Sequence, residues 1–556
     1  MRKFLVTLAL LAAGCAQVAT GPDLAVITVI GTNDVHGELV AQDGRGGITT
    51  FSGYVNAVRQ ARSGDGAVLL VDAGDMWQGT LESNLNEGYS VVEAYNAMGY
   101  AAAAIGNHEF DFGPLGPKSI PDDESDNPQG ALQARAAKAS FPLLAANLVD
   151  ASTGEMVNWD NVQPSAVVQK AGVLIGVIGV LTENTRATTI AANVHNIRIS
   201  PLVAAIEEQA ETLRMAGASL IVVVAHAGSR CTEFDDPLDT SSCHMDGEIM
   251  RVAQALRPGL VDHIVAGHVH QGIAHDVNGI AVTSSYSNTR AFSRVDFTVD
   301  RATGQVVDRR IYPPQRIVAG DTYEGRDIVP DEEVVAIAQR AADMAERRRA
   351  EPLGVFLEAP ASHRTRPESP LGNLMTDAVL EMSNADISIH NVWGGIRAEL
   401  PGGELTYGDV FRMFPFDNRV SVIELTGSEV RLIIAQQAHN RYRAAGFSGM
   451  RVFVSCDVDQ MQVRMLRPDG SEIDDEDVLR VVANDFLLLG GDDILTPVIP
   501  EGGFTLPSGT PLVRETLVQW FRSNPGNMDP AEFVDADALR WNLPPELPAE
   551  CQLSGT

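Results

Sequence analysis

A chain of 556 residues is too long for one ordinary hydrophobic core, so at least two domains are expected. With 45% hydrophobic and 21% charged residues, its composition is that of a globular protein. The 73 acidic and 41 basic residues leave a net charge of -32, which argues against long nucleic acid as a partner; a small phosphate ester would need a locally positive site, from arginines or metal ions.

The chain opens on MRKFLVTLALLAAGCAQ. Arg2 and Lys3 form a charged end, and Phe4 to Ala13 form an apolar core too short for a permanent membrane span. The run LAAGC, Leu11 to Cys15, resembles a bacterial lipobox, which implies cleavage before Cys15 and lipid on its thiol. The plain alternative is a secretory signal whose Cys is incidental. Ala16 rather than Asp after the Cys implies delivery to the outer membrane. Residues 1–20 are therefore expected to be signal and tether. The mature protein is expected on the periplasmic side or cell surface, touching membrane through the lipid alone. Four cysteines remain, an even number that suits disulfides in an exported chain. Of three connectivities, Cys231–Cys243 would close a short polar loop, and Cys456–Cys551 would then tie down the tail.

From Leu24 to about Thr283, short β-branched runs end in polar, Gly-containing turns: Leu24–Ile30, Val68–Gly74, Val173–Val180, Leu220–Ala225 and His263–Gly267. Such continuous apolar runs suit strands buried on both faces. Helical patterns at Ile48–Arg62 and Leu202–Gly217 lie between them, so this part reads as a layered α/β domain. Tyr312–Asp321 reads as a Pro-containing exit, and Asp331–Glu351 as a connecting helix with acids first and arginines last. A second α/β region follows, with strands expected at Asp386–His390, Arg419–Leu425, Met450–Cys456 and Val478–Phe486. The expected division is 24–320, a linker helix at 329–351, and 352–556.

Four of these five runs, and the alanine run before Gly106, lead into metal-type residues. Asp34-Val-His36 follows the first, Asp72-Ala-Gly-Asp75 the second, and Gly106-Asn107-His108 the alanine run. His226 and Gly267-His268-Val-His270 follow the last two. Loops converge at strand carboxyl ends while the sheet fixes their positions. Carboxylate plus imidazole suits Zn, Mn or Fe. A shared Asp75 would let two cations sit a few Å apart, where they lower the pKa of a water and clamp phosphate oxygens. Alone, each piece is more often a turn, a cap or a core histidine.

The ordered set D-x-H, G-D, G-N-H-E, H, G-H-x-H closely resembles the calcineurin-like metallophosphoesterase signature, whose fold is a four-layer αββα sandwich. The resemblance implies two divalent cations, Zn, Mn or Co. One would be held by Asp34, His36, Asp75 and His270, the other by Asp75, Asn107, His226 and His268. It implies His108 as the catalytic histidine and Asp111 as the acid that orients it. Position 270 is Gln in some relatives. Glu109 receives no catalytic role.

In the second region, Gly372–Val379, Gly394–Arg397, Phe414–Asn418 and Asn484–Asp493 resemble the C-terminal substrate domain of the 5′-nucleotidase family, which includes UDP-sugar hydrolases. The resemblance implies that Phe416 and Phe486 sandwich a nucleobase, Asp492 binds the ribose hydroxyls, and Arg397 contacts phosphate. Two departures stand out. Asn391 lies six rather than five before Arg397, with Val392 in the expected place. A further phosphate-binding Arg falls on Thr365, flanked by Arg364 and Arg366, one of which would substitute. The implied activity is hydrolysis of nucleoside 5′-phosphates, with UDP-sugar or nucleotide pyrophosphatase activity beside it. The alternatives are a 2′,3′-cyclic phosphodiesterase/3′-nucleotidase, a thiosulfohydrolase and a non-catalytic nucleotide-binding surface lipoprotein. Base preference and oligomeric state have no signature in the sequence.

Overall fold

The computed structural model describes residues 23–553 apart from 43, 117, 122, 124, 366–367, 440–444, 459, 501–502, 505–509, 545–546 and 549. Cys15, the rest of the N-terminal segment and Arg366 lie outside the described residues.

The first half packs two sheets face to face. The strand Leu24–Thr32 lies central in a seven-stranded sheet, between Ala291–Asp300 and Gly66–Asp72. The other sheet has six strands, with Leu220–His226 flanked by Val173–Leu181 and His263–Ala266. The continuous apolar runs bury both faces. Ile27, Val29, Leu69 and Val71 meet Ile175, Val177, Leu220 and Val222 between the sheets. Helices Gly47–Ala61 and Tyr89–Met98 cover one outer face, and Leu202–Met215 and Glu248–Ala255 the other. Leu202–Met215 does so through Leu202, Ala205, Ile206, Ala210 and Leu213, a three-four spacing that forms one helical stripe. The result is a four-layer αββα sandwich.

Parallel pairing lines up the ends that matter. Thr32 pairs with Asp72, so the turns carrying Asp34 and Asp75 leave the sheet side by side. Ala225 pairs with Ala266, which does the same for His226 and His268.

The expected exit at Tyr312–Asp321 is corrected in part: Gln305–Arg316 is a twelve-residue strand that runs through Pro313 and Pro314. It is an edge strand with a bulge that sets both prolines opposite Ser293, so neither missing N–H costs a ladder bond. The helix Glu332–Arg349 follows. Asp331 caps it by accepting from the Glu333 and Val334 N–H groups, and Arg347 to Arg349 close its negative end. It packs on the helices Leu81–Asn84 and Tyr89–Met98, with Arg349 paired to Glu82, and also touches Tyr407–Met413 of the second half.

Among the described residues, the second half holds two four-stranded sheets and a three-stranded one. Its central sheet orders Val420–Thr426, Val478–Asn484, Ile387–His390 and Gly446–Ser448. The expected strand Val478–Phe486 stops at Asn484, whose side chain caps a short helix, Asp485–Leu488, by accepting from the Leu487 N–H. Phe486 thus projects from a helix rather than a strand.

The structure joins Cys231 to Cys243 and Cys456 to Cys551, the latter across 95 residues. Closing so long a loop restricts the unfolded chain by up to about 4–5 kcal/mol on the chain-entropy account. Cys551→Ser is expected to lower the unfolding free energy by about 2–5 kcal/mol in urea titration. An unchanged midpoint and slope would contradict the bond. Among the described residues no helix is long and apolar enough to cross a membrane.

Candidate metal centre and facing pocket

Two groups of ligand-type side chains form where the paired strands end: Asp34, His36 and His270, and Asp75, His226 and His268. Within each, the ligand atoms lie within 4.8 Å of one another. Five of the six have left-handed backbone: Asp34 (φ 50°), His36 (51°), Asp75 (57°), His268 (74°) and His270 (60°). Each such non-Gly residue costs on the order of 1–3 kcal/mol and persists only where the surroundings enforce it. Here the turns enforce it. Asp34 N–H donates to the Gly74 carbonyl and His36 N–H to that of Asp75, both at 3.0 Å.

Tautomers are fixed from behind. His36 Nδ1 donates to the Gln78 carbonyl at 2.8 Å, and His226 Nδ1 to that of Ala73 at 2.8 Å. Both Nε2 atoms therefore face the cluster: His36, held neutral, offers a lone pair there, whereas His226 is held up at about 10, burial working against its charge and Asp75 overcoming it, so a cation bound there would replace its proton. His36 Nε2 faces His270 Nε2 at 3.1 Å, and Asn107 Oδ1 sits 2.9 Å from His226 Nε2 and 3.0 Å from His268 Nδ1. Asn107 Nδ2 donates to the Thr188 carbonyl, which turns its oxygen to the cluster. Imidazole nitrogens, a carbonyl oxygen and carboxylates converge on shared points, so the donor set fits divalent cations.

Charge follows the same plan. Burial, then His270, holds His36 down at about 3, and burial, then His226, holds His268 at about 4, so both stay neutral. Burial opposes ionisation of Asp75, but His226 and His108 outweigh it and keep its carboxyl well below the usual range. His108 is held up at about 9: burial works against its charge, and Asp111 and Asp75 overcome it. Its Nδ1 meets Asp111 Oδ2 at 2.6 Å, and Asp111 Oδ1 accepts from Thr189 Oγ1 at 2.8 Å.

Glu109, which had no expected role, is fully buried, and its carboxylate accepts from three backbone N–H groups. Oε2 takes those of Asp75 at 2.8 Å and Gly106 at 2.6 Å; Oε1 takes that of Met76 at 2.7 Å. It pins the Asp75 turn to the Asn107 turn. Thr189 and Gln78, likewise unanticipated, carried no local signal, since their partners are distant in the chain.

A cavity of about 320 Å³ joins this cluster to the second half. Asp75, Asn107, His108 and His268 line one wall; Asn391, Arg397, Phe416, Phe486 and Asp492 line the other. The Phe416 ring lies 6.2 Å from His108, and the Arg397 guanidinium 4.9 Å from the Phe416 ring. Arg397 makes no ion pair among the described residues and also borders an adjoining cavity of about 710 Å³. Asn391 is in the wall despite its shifted spacing, and its Nδ2 donates to Asp492 Oδ2 at 2.6 Å. Glycines make this approach possible: a Cβ on Gly394 would lie 2.3 Å from Asp492 Oδ2, and one on Gly491 2.3 Å from the Phe486 ring. Arg364 is not brought to the cavity. It is exposed, on a surface segment beyond the pairing of Ala361 with Leu400.

Behind the aromatic wall, buried Asp485 has its carboxyl pushed up to about 6 by burial, against hydrogen bonds from Arg419 N–H and Asn418. An acid raised above its unfolded value near 3.8 stabilises the fold below that value, and this contribution fades as pH rises through 6. Relative to Asp485→Asn, the wild type is expected to lose about 2.5 kcal/mol between pH 4 and pH 8 in urea unfolding. A pH-independent difference would refute the shift.

The sandwich and its strand-end cluster define a metallophosphoesterase. Residues 27–272 match the calcineurin-like phosphoesterase family model, and residues 350–498 match that of the 5′-nucleotidase C-terminal domain. The chain thus combines a calcineurin-like phosphoesterase domain with a 5′-nucleotidase C-terminal domain. It is 28% identical over 515 residues to cell wall protein Lmo0130 of Listeria monocytogenes, covering 84% of this chain and 64% of that protein's length. It is 26% identical over 499 residues to protein UshA of Yersinia enterocolitica, covering 84% of this chain and 86% of UshA. A 5′-nucleotidase precursor from Thermus thermophilus shares the fold at a TM-score of 0.67 and 24% identity, over 90% of this chain and 97% of that one.

Proposed function

We propose that the protein is an exported, metal-dependent hydrolase of nucleoside 5′-phosphates. The observation that carries this reading is the cavity in which the metal-type cluster and His108 face Phe416, Phe486 and Asp492. Asp34, His36, Asp75 and His270 would hold one divalent cation, and Asp75, Asn107, His226 and His268 a second. When bound, the cations supply Lewis-acid stabilisation of phosphoryl charge and a nucleophile at neutral pH.

The chain's own residues do the rest. Phe416 and Phe486 stack the base, which contributes about 1–3 kcal/mol and tolerates different bases. Asp492, oriented by Asn391, accepts from the ribose hydroxyls. Arg397, free of carboxylate partners among the described residues, presents its planar fork to the phosphate. His108, tied at Nδ1 to Asp111, directs Nε2 and its positive charge toward the phosphoryl oxygens. The N-terminal segment, with Cys15 as lipid attachment point, would carry the enzyme to the outer membrane. The name of Lmo0130, a cell wall protein, supports export.

AMP, ATP, UDP-glucose, NAD and 2′,3′-cyclic AMP should be compared with and without chelator. AMP is expected to show the highest kcat/KM. Chelation should abolish turnover, and Mn, Co or Zn should restore it. Turnover that survives chelation, or preference for the cyclic ester over AMP, would overturn the proposal.

A further inference from the structure

We infer that Asp485 is a positioning residue that sets the gap between the two aromatic walls of the base pocket, so that it governs nucleotide binding without touching nucleotide. This rests on the nucleotidase reading above. Phe416 and Phe486 come from separate parts of the chain: a loop before the strand Val420–Thr426, and the short helix Asp485–Leu488. A stacking pocket needs their separation held to a few tenths of an ångström, because attraction falls steeply with a small gap.

One buried oxygen provides the hold. Asp485 Oδ1 accepts from Arg419 N–H at 3.0 Å and Asn418 Nδ2 at 3.2 Å, both just after Phe416, and from Phe486 N–H at 2.9 Å. Asp485 N–H in turn donates to the Arg419 carbonyl at 3.0 Å. The loop is held from its other side by Arg514, whose Nη1 donates to the Phe416 carbonyl at 3.0 Å and whose Nη2 pairs with Asp417. Asp485 does not line the cavity and is fully buried. Its second oxygen has no hydrogen-bond partner in the described structure. An amide placed there keeps Oδ1 and all three contacts, whereas alanine removes them.

The test compares wild type, Asp485→Ala and Asp485→Asn on AMP and on ribose 5-phosphate, which keeps the sugar and phosphate but has no ring to stack. Asp485→Ala is expected to raise KM for AMP about tenfold and leave kcat/KM for ribose 5-phosphate within about twofold. Asp485→Asn should restore the AMP KM to within about twofold of wild type. If Asp485→Ala yields no soluble protein, Asp485→Ser, whose hydroxyl is too short to span the three donors, takes its place with the same expectation. An unchanged AMP KM in the Ala or Ser variant, or equal losses on both substrates, overturns the inference. A wild type that cleaves ribose 5-phosphate but not AMP overturns the nucleotidase reading instead.

Discussion

His108→Ala is expected to lower kcat for phosphoester hydrolysis by about 10²–10³-fold with metal content unchanged. The two halves of this expectation come from different atoms. The imidazole faces the cavity and, among the described residues, hydrogen-bonds only to Asp111, so its loss removes positive charge aimed at the proposed position of the phosphoryl group. The backbone N–H of the same residue donates to Asp75 Oδ1 at 2.9 Å, and alanine keeps it. The metal cluster should therefore survive the substitution. Asp111→Asn leaves the ring in place but weakens the charge that holds it, and a smaller loss, about tenfold, is expected. Steady-state kinetics with metal analysis on the same samples checks both halves. Wild-type turnover in His108→Ala would remove His108 from the chemistry. Loss of metal together with activity would make its role one of assembly.

The sequence showed most of this site because the chemistry lies on strand ends. Asp34, Asp75, His226 and His268 each follow an apolar run, and parallel register brings their turns together with no long-range contact to be guessed. What could not be read depends on contacts across the chain. Thr189 reaches Asp111 from 78 residues away, and no spacing rule marks it. Asn391 has shifted spacing yet reaches Asp492, from the N-cap of a short helix, Val392–Gly395. The limits of local reading appear in the fold too. Pro313 and Pro314 read as an exit, but an edge strand tolerates them. Val478–Phe486 reads as one strand, but Asn484 caps a helix there, and the polar side chain overrides the β-branched run before it.

Glu109→Ala is expected to strip the protein of metal and destabilise the first domain, although Glu109 is not among the proposed ligands. Its carboxylate satisfies the N–H groups of Asp75, Met76 and Gly106 in a region closed to water. Each buried donor left without a partner costs about 1–3 kcal/mol. Three together amount to about 3–9 kcal/mol, a large part of the 5–15 kcal/mol that holds an ordinary domain folded. The left-handed backbone of Asp75 makes the effect local as well as global. That conformation is enforced by its turn, and Glu109 is what fastens the turn to the Asn107 segment. Released, Asp75 relaxes away from the position at which it could serve both groups, and metal affinity should fall about 10–100-fold, the range for residues that orient ligands. Glu109→Gln should lie between: its single amide oxygen can replace one carboxylate oxygen, while its NH₂ group is set against the remaining N–H donors. Metal content after dialysis and unfolding in urea give two independent readings. Glu109→Ala with full metal content and an unshifted unfolding midpoint would show that the Asp75 turn holds itself. Loss of both would explain an acid so close to the proposed catalytic histidine that takes no part in the chemistry.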